Sequence, residues 1–393
     1  MPSIAGLIAI NHLTAGRFRV LHHLRRTDVS ATMWAMIHIG DGSLTMQSSD
    51  IDVSQSRPPL LQRLLTLVFG LYLLFLLTYV IMRPIFDDQF WWLNLLHNGA
   101  PYYFAPLIIV LPLAILMRAK RLAGVALLLT IAGGIWLGPR LLPAAPPDAP
   151  YGTEFDFISF NVYPYNETMD DVIDWLRVQD ADVVLLQEVN IDYLPDLQAA
   201  MADRYPVQEV NDSVHWDVLL SRYELVEREV FDLQGYAHQR FVLDIDGEQV
   251  EFYNMHLLMP VQDQARFAVN IPPELVWRYS ETARDAQITQ LLQRVVQSDL
   301  PVVVAGDFNT SEFSPIYDVI NANMLDAFRR TNWGLGATWP AGESEELPDV
   351  LPPMLRLDYI WTTPQIVPLS SAIGPRLGSD HLPLTATLKL IEE

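Results

Sequence analysis

The residues with the clearest chemical potential follow one short, strongly apolar stretch. Leu300–Ser311 reads LPVVVAGDFNTS, and its three consecutive valines have the composition of a buried strand. Gly306 ends the apolar run, and Asp307 and Asn309 follow it. Because alternate residues of an extended chain point the same way, a carboxylate and an amide can here face one bound group. Aspartate and asparagine are also ordinary turn residues, so this stretch alone leaves both interpretations open.

Several other polar residues share this placement beside an apolar strand. Each one alone has an ordinary interpretation as a turn, cap or edge residue, but α/β proteins gather their functional sites at strand ends. Together they predict one shared site. The set consists of Asn161 after FISF, Glu188 after VVLLQ, His256 after VEFYNM, Asp307 and Asn309 after VVVAG, Asp358 at the start of DYIW, and Asp380 and His381 in GSDH before LPLTATL.

The side chains of this set divide into two chemical kinds. Hard oxygen donors come from Asn161, Glu188, Asp307 and Asp380. Since the chain has no cysteine, such donors suit Mg²⁺, Mn²⁺ or Ca²⁺ better than a structural zinc, and disulfides and cysteine nucleophiles are excluded. His256 and His381 are available for proton transfer or charge stabilisation. Asp358 could orient His381 as a carboxylate–histidine pair.

The elements that must position these residues alternate between strand-like and helix-like stretches. Helical spacing of apolar residues predicts helices over 169–179, 194–201 and 281–297. Asp246-Gly247 between two strand-like runs is a hairpin signal. Mixed strands and helices in this order predict an α/β layered sandwich over residues 153–393.

Six motifs of this region occur in a characteristic order. They read FISFNVY, LLQEV, YNMHL, GDFNT, RLDYIW and GSDHLPLTATL. In this order and spacing they resemble the endonuclease/exonuclease/phosphatase superfamily, which includes pancreatic deoxyribonuclease, inositol polyphosphate phosphatases and neutral sphingomyelinases. The resemblance covers about residues 153–393. It implies a four-layer α/β/β/α sandwich and divalent-metal-dependent hydrolysis of a phosphoester.

The resemblance also implies how the oxygen donors divide their work. Asn161 and Glu188 would bind the metal, with Asp380 nearby. Asp307 would position or deprotonate the attacking water, and Asn309 would hold that water or a phosphoryl oxygen. In phosphoryl transfer a protein mostly positions groups and neutralises charge, and one metal with flanking donors does both.

The remaining implied roles concern phosphate contacts and protons. His256 would donate to the scissile phosphate, and His381, paired with Asp358, would serve as base or as stabiliser of the pentavalent state. Arg240, in the strand RFVLDI, matches a phosphate-contacting arginine of some relatives, with an edge-strand arginine as the alternative. The usual acidic partner of His256 has no clear match, and Asp217 is the candidate.

Three apolar runs precede this domain. Leu64–Met82 is uncharged and would span roughly 28 Å as a helix, about one hydrocarbon core. Residues 103–117 and 122–137 are shorter runs joined by Arg118-Ala-Lys-Arg121, which predicts a membrane hairpin. Basic residues before the first run and in this turn, with Asp87-Asp88 between the first two runs, predict by the positive-inside rule that the domain lies outside the cytoplasm.

These runs divide the chain into four parts. Residues 1–59 are expected to be a cytoplasmic tail, 60–138 a transmembrane region of about three helices, 139–152 a proline-rich linker and 153–393 the enzyme-like domain. Within that domain, Leu258–Ser280 is rich in proline and aromatic residues and is expected to be a substrate-covering loop or a packed insertion. The organisation predicts an integral protein of the bacterial plasma membrane with an extracytoplasmic domain.

The charge is distributed unevenly along the chain. Of 25 basic and 47 acidic residues, 11 and 6 lie in residues 1–140, which leaves residues 141–393 with 14 basic and 41 acidic side chains, a net charge of −27. That part contains a single lysine, Lys389. Because nucleic-acid binders usually carry a basic footprint, nucleic acid is a disfavoured partner.

The favoured prediction is a membrane-tethered hydrolase that acts on a small or lipid-linked phosphoester at the outer membrane face. A three-helix anchor ahead of this domain also resembles the bacterial teicoplanin-resistance subgroup, which implies lipid-pyrophosphate substrates. One alternative is a nuclease of the same fold. The other is a non-enzymatic membrane sensor or binding module built on this scaffold.

Overall fold

The computed structural model describes residues 18–20, 35–40, 43–46, 59–144, 151–211, 216–261, 279–342 and 351–391. The chain divides into two compact units, Met1–Arg63 and Leu64–Glu393. In the first unit, three short strands form an antiparallel sheet in the order β1-β2-β3, where the sequence predicted no regular element. These strands are β1 (Phe18–Val20), β2 (Ala35–Gly40) and β3 (Ser43–Met46). The cytoplasmic placement of this segment stays a prediction.

Among the described residues, five helices precede the α/β region. Two of them, α1 and α5, are long and apolar enough to cross a membrane, with mean hydropathies of 2.5 and 1.8. The helices between them include a pair bent by 72°, Trp91–Asn98 and Ala100–Leu116, which would be a third span if the pair crosses as one. The helices are α1 (Leu60–Phe86), α2 (Trp91–Asn98), α3 (Ala100–Phe104), α4 (Leu107–Leu116) and α5 (Lys120–Leu141).

The last of these helices corrects the predicted linker. Helix α5 continues through Pro139 and ends at Leu141, so the first residues of the expected spacer 139–152 are helical. Beyond it, the Ala144 amide donates to the Arg329 carbonyl at 2.9 Å. The beginning of the segment is therefore attached to the α/β region, and residues 145–150 lie outside the described residues.

Two six-stranded sheets form the rest of the second unit. Sheet I has the order β12-β13-β11-β10-β9-β8, and sheet II has the order β14-β15-β4-β5-β7-β6. The strands are β4 (Thr153–Asn161), β5 (Val183–Gln187), β6 (Val207–Asn211), β7 (Asp217–Ser221), β8 (Glu224–Leu233), β9 (Tyr236–Ile245), β10 (Glu248–His256), β11 (Val302–Asp307), β12 (Leu325–Asp326), β13 (Asp358–Thr362), β14 (Ile366–Ile373) and β15 (Leu384–Leu390).

Apolar side chains from both sheets form the central core. Phe157 of β4 and Phe252 of β10 stack across it with ring centroids 5.9 Å apart. Strand β5, VVLLQ, is buried along its whole length, as its unbroken apolar run predicts, whereas β15, LTATLKL, alternates between buried and half-buried residues. Burial of β-branched and aromatic side chains between two sheets is what fixes their face-to-face packing.

Helices cover the outer faces of the two sheets. Helices α6 and α7 pack on sheet II, and α8 and α9 pack on sheet I. The resulting order of layers is α/β/β/α, which confirms the predicted fold class. The helices are α6 (Met169–Gln179), α7 (Leu194–Met201), α8 (Thr282–Gln297), α9 (Pro315–Asn321) and α10 (Ala327–Thr331).

Candidate active site

The site lies at the strand ends of both sheets, and the strand register assembles it. In sheet I, β10 and β11 are parallel with His256 beside Asp307, and β11 and β13 are antiparallel with Asp307 beside Asp358. In sheet II, β4 and β5 are parallel, and they end at Asn161 and one residue before Glu188. The strand ends of the two sheets face each other, since Asn161 Nδ2 lies 3.3 Å from Asp307 Oδ2.

One carboxylate oxygen, Asp307 Oδ2, is the centre of the group. The Asn161 amide nitrogen approaches it at 3.3 Å, the Asn309 amide nitrogen at 3.4 Å, His381 Nε2 at 3.6 Å and His256 Nε2 at 4.0 Å. Asp307 is buried, and burial raises its pKa to about 6 although the His381 imidazolium lowers it. A carboxylate that gains a proton near neutral pH is suited to act as a general base.

Glu188 and His256 form a hydrogen-bonded ion pair across the two sheets. His256 Nε2 lies 3.0 Å from Glu188 Oε1, which also accepts from Asn161 Nδ2 at 3.1 Å. Burial alone would raise the pKa of Glu188, but His256, then the charge of His381 and the hydrogen bond from Asn161, lower it to about 2. Burial alone would lower the pKa of His256, but Glu188, Asp307 and Asp217 raise it to about 9. Both partners are therefore charged at neutral pH.

Asp217, the candidate partner of His256, lies within the same electrostatic group. Burial raises the pKa of its carboxyl to about 7, and the nearby His256 imidazolium opposes that rise. The hydrogen-bonded carboxylate of His256 is Glu188, so Asp217 acts on the imidazolium through charge. The partnership assigned to Asp217 from the sequence stays a prediction.

His381 and Asp358 form the second charged pair. His381 Nδ1 lies 2.8 Å from Asp358 Oδ2. Burial alone would lower the pKa of His381, but Asp358 and then Asp307 hold it well above its ordinary value. Ser379 fixes the ring position, because its hydroxyl donates to the Asn161 carbonyl at 2.7 Å and accepts from the His381 amide at 2.9 Å. The imidazolium is thus directed at Asp307.

Asp380 precedes this histidine and is mostly buried. Burial raises its pKa to about 6, the His381 imidazolium and a hydrogen bond from Trp339 oppose the rise, and the Glu188 charge adds to it. Its backbone carbonyl accepts from the Ala341 amide at 2.7 Å. Asp380 is therefore close enough to Glu188 for their charges to interact.

The group fits a divalent cation. Donor atoms of Asp307, Asp358 and His381 all lie within 4.8 Å of one another, a set that contains none of the metal ligands predicted from the sequence, Asn161, Glu188 and Asp380. His381 would have to lose its proton to bind a metal. Among the described residues, Asp358 Oδ1 is a buried acceptor without a hydrogen-bond partner. Carboxylates outnumber histidines here, and burial raises three aspartate pKa values, those of Asp217, Asp307 and Asp380. A bound cation would supply the missing positive charge.

Two of the site residues have strained backbones. Glu188 has a φ of 57° and Asn309 a φ of 48°, both in the left-handed region. Asparagine tolerates this region, but a glutamate there costs about 1–3 kcal/mol and persists only where its surroundings hold it. The strain turns both side chains out of the strand direction and towards the group around Asp307. The periodicity of the sequence does not predict this backbone strain.

Gly306 is required for the close contact between β10 and β11. Its φ is 137°, and a Cβ at this position would lie 1.8 Å from the Met255 carbonyl oxygen. We expect Gly306→Ala to separate the two strands, to displace Asp307 from His256, and to lower kcat by about 100-fold through misplacement of the reacting groups. Steady-state kinetics and a thermal melt would measure both effects.

Gly247→Ala is the matched control for that substitution. Gly247 also has a positive φ, of 99°, but a Cβ there meets no atom within 4 Å. Gly247→Ala should therefore lower the stability slightly without changing kcat. Equal kinetic effects from the two variants would contradict a role for the close approach at Gly306.

A buried set of amide side chains below the site was not predicted from the sequence. Gln187 Nε2 donates to Asn254 Oδ1 at 2.7 Å across the two sheets, and Asn254 Nδ2 donates to Gln239 Oε1 at 3.2 Å. All three residues are fully buried. The sequence does contain a signal for these buried amides, because Gln187 in VVLLQ and Asn254 in VEFYNM are polar residues inside apolar runs. Their hydrogen bonds join the sheets directly beneath Glu188 and His256.

The structure does not bring Arg240 to this group. Its guanidinium lies 2.5 Å from Glu251 Oε1 and 3.0 Å from Glu227 Oε1. Arg240 pairs in register with Tyr253, whose side chain faces helix α8 on the outside of the sheet. We therefore leave it out of the proposed site. The predicted covering loop 258–280 is described only near its ends, where Val261 pairs with Tyr279, and residues 262–278 lie outside the described residues.

Comparison with known proteins identifies the family of this chain. The model of the Endonuclease/Exonuclease/phosphatase family matches residues 158–381, more than half of the chain. The chain therefore belongs to the endonuclease/exonuclease/phosphatase family. No curated protein sequence matches it.

Several solved structures are similar to part of the chain. An endonuclease/exonuclease/phosphatase from Bacteroides vulgatus is 21% identical, with 61% of this chain and 99% of that chain covered and a TM-score of 0.47. TDP2 from D. rerio, complexed with single-strand DNA product, is 19% identical (60% and 99% covered, TM-score 0.46). A mannosyl-6-phosphatase from Bacteroides thetaiotaomicron is 16% identical (60% and 99% covered, TM-score 0.44).

Proposed function

We propose that this protein is a membrane-anchored phosphoester hydrolase that depends on a divalent cation, Mg²⁺ being the expected ion. The observation that carries the proposal is the convergence of two amides and two histidines on Asp307 Oδ2 in a member of this family. A buried carboxylate with two charged histidines directed at it matches the needs of phosphoryl transfer, in which charge neutralisation and positioning dominate.

Each side chain has a defined part in the proposed reaction. Asn161 and Glu188, with Asp380 nearby, would hold the cation, which when bound neutralises charge on the phosphoester and promotes ionisation of the attacking water. Asp307 accepts the proton of that water, and Asn309 holds the water or a phosphoryl oxygen in place.

The two histidines act on the phosphate as cations. Their pKa values are raised by Glu188 and by Asp358, so both imidazoles are protonated at neutral pH. Of the two roles open to His381 from the sequence, stabilisation of the pentavalent state is therefore favoured over that of a base. His256 donates to a phosphoryl oxygen.

The proposed substrate is a lipid-linked or small phosphoester at the outer membrane face. Two apolar helices, or three if the bent pair spans as one, support membrane attachment. The basic turn Arg118–Arg121 supports the outward orientation of the domain through the positive-inside rule. The net charge of −27 in residues 141–393 disfavours a polyanionic substrate such as DNA.

A substrate panel would test this function with the full-length protein in detergent or nanodiscs. The panel contains a polyprenyl phosphoester, a sugar phosphate, a chromogenic aryl phosphodiester and plasmid DNA, each with Mg²⁺ or with EDTA. We expect Mg²⁺-dependent hydrolysis, with the highest kcat/KM for the polyprenyl substrate. Preferred cleavage of DNA would instead make the protein a nuclease. No hydrolysis of any member, with no metal binding by calorimetry, would support the sensor alternative.

The affinity for Mg²⁺ should depend on pH. The pKa values of Asp307 and Asp380 are raised to about 6 by burial, so protons compete with the cation as the pH falls through this range. We expect Mg²⁺ to bind about 10-fold more weakly at pH 5.5 than at pH 7.5, because the proposed ligand Asp380 and the neighbouring Asp307, whose negative charge attracts the cation, must both release protons. Calorimetric titration at both values measures this, and equal affinities would contradict the assignment.

A further inference from the structure

The loop between β11 and α9, residues 308–314, carries Asn309 and is called the catalytic loop below. It is attached directly to the membrane helices. Asn98 is the last residue of α2, next to the 72° bend between the two helical segments. Its Oδ1 accepts a hydrogen bond from the Ser311 hydroxyl at 2.5 Å. Ser311 is buried and lies two residues after Asn309, within the loop that follows β11. A membrane-region side chain therefore fixes the segment that carries Asn309.

A second set of hydrogen bonds joins the same asparagine to Asn309 itself. Asn98 Nδ2 donates to the Tyr279 hydroxyl at 2.7 Å, and that hydroxyl donates to Glu281 Oε1 at 2.6 Å. Arg284 Nη2 lies 3.1 Å from the same Glu281 oxygen, and Arg284 Nη1 donates to the Asn309 carbonyl at 2.6 Å.

The residues that join Asn98 to Asn309 are buried, so the loss of one hydrogen bond among them should disturb the others. Tyr279, Glu281 and Arg284 are each at most 3% exposed, so a lost partner cannot be replaced by bulk water. The left-handed backbone of Asn309 needs support from its surroundings, and the hydrogen bond to its carbonyl supplies such support.

Three further contacts hold the loop and the start of α9 on the membrane helices. Arg140 of α5 donates through Nε to the Glu312 carbonyl at 3.0 Å and pairs with Asp318 at 2.5 Å. The Phe313 side chain, 3% exposed, belongs to the same buried apolar cluster as residues of the membrane helices. The loop and the helix α9 after it are thus held against the membrane helices by hydrogen bonds, an ion pair and apolar packing.

We propose that Asn98 is a positioning residue for catalysis, and that the membrane helices form part of the site's architecture beyond their role as an anchor. This proposal rests on the hydrolase function proposed above. Asn98 touches no reacting group, but it holds Ser311 and, through Tyr279, Glu281 and Arg284, the Asn309 carbonyl. A small displacement of Asn309 changes its contact with Asp307, and displacements near 1 Å can cost up to about 100-fold in rate.

The test compares Asn98→Ala, Ser311→Ala and the double variant with wild type, as full-length protein in nanodiscs. Hydrolysis of the chromogenic aryl phosphodiester is measured with Mg²⁺. We expect Asn98→Ala to lower kcat about 10-fold with KM within 2-fold of wild type. The double variant should cost less than the product of the two single effects, because both remove one interaction.

Tyr72→Phe is the matched control within the membrane helices. It removes a hydrogen bond from the Tyr72 hydroxyl to the Tyr103 carbonyl, 2.8 Å long, that is not one of the hydrogen bonds between Asn98 and the loop after β11. It should leave kcat unchanged. If Tyr72→Phe lowers kcat as much as Asn98→Ala, or if the two single effects multiply independently, the positioning role of Asn98 is overturned.

Hydrogen exchange gives a readout that does not need activity. Asn98→Ala should speed amide exchange over residues 309–313 and leave β11 protected. If wild type hydrolyses nothing, the proposed function fails, and exchange alone decides whether Asn98 holds the loop. Unchanged exchange over 309–313 in Asn98→Ala would overturn the inference even in an active enzyme.

Discussion

Asp307→Asn is expected to lower kcat by about 10³-fold, within the range that general acid–base groups contribute. The substitution keeps the shape of the side chain but removes the carboxylate that four polar groups approach. The amide cannot accept a proton from water at neutral pH. Steady-state kinetics on the best substrate of the panel, at saturating Mg²⁺, measures the effect.

The same variant should remain folded. Burial of an ionised carboxylate is unfavourable, as the raised pKa of Asp307 indicates, so an amide of equal size should not lower the melting temperature of the metal-free protein. Asp299→Asn is the matched control, since Asp299 is exposed and precedes the same strand. A kcat within 3-fold of wild type for Asp307→Asn would remove this residue from the mechanism.

Glu312→Ala is expected to cause the largest loss of stability. Glu312 Oε2 accepts from Arg329 at 2.9 Å and from Arg356 at 2.5 Å, and all three side chains are buried. Removal of this carboxylate leaves two guanidinium groups with less compensating charge, which typically costs about 3–5 kcal/mol. For a domain of this size that corresponds to a fall of about 10 °C in melting temperature, measurable by tryptophan fluorescence.

Glu209→Ala is the control for that stability effect. Glu209 pairs with Arg228 at 2.6 Å, but both side chains are partly exposed, so the pair is worth less than about 1 kcal/mol. If both variants melt at the same temperature, the buried cluster around Glu312 is not a main support of the loop between β11 and α9. Because Glu312 lies within that loop, its loss should also reduce the rate of hydrolysis.

Local pattern in the sequence predicted a large part of this fold. The bounds of α6 and α7 follow from their apolar periodicity, and the unbroken run VVLLQ predicts a fully buried β5. Strands with a weak pattern of apolar residues were not predicted. Strand β6, VQEVN, has only two apolar residues, and β14 contains a proline and two serines. Pairing with a neighbouring strand decides such elements, and pairing is not a local property.

The candidate site residues, except Arg240, could be named from their places at strand ends, but their mutual geometry could not. Asn161 and Asp307 are 146 positions apart in the chain and meet only because two sheets pack face to face. The ion pair of Glu188 with His256 likewise depends on the strained backbone at Glu188. Arg240 matched a motif, yet the strand register directs it to the opposite face.

The sequence by itself determined the family, the apolar helices and the chemical types of the site residues, because these depend on composition, periodicity and short motifs. Only the tertiary structure decided that Asp307 Oδ2 is the meeting point of four polar side chains. It also decided that Asn98 and Arg140 of the apolar helical region contact the loop after β11. The physical reason is the same in both cases: hydrogen bonds and ion pairs between distant segments depend on packing that no local pattern records.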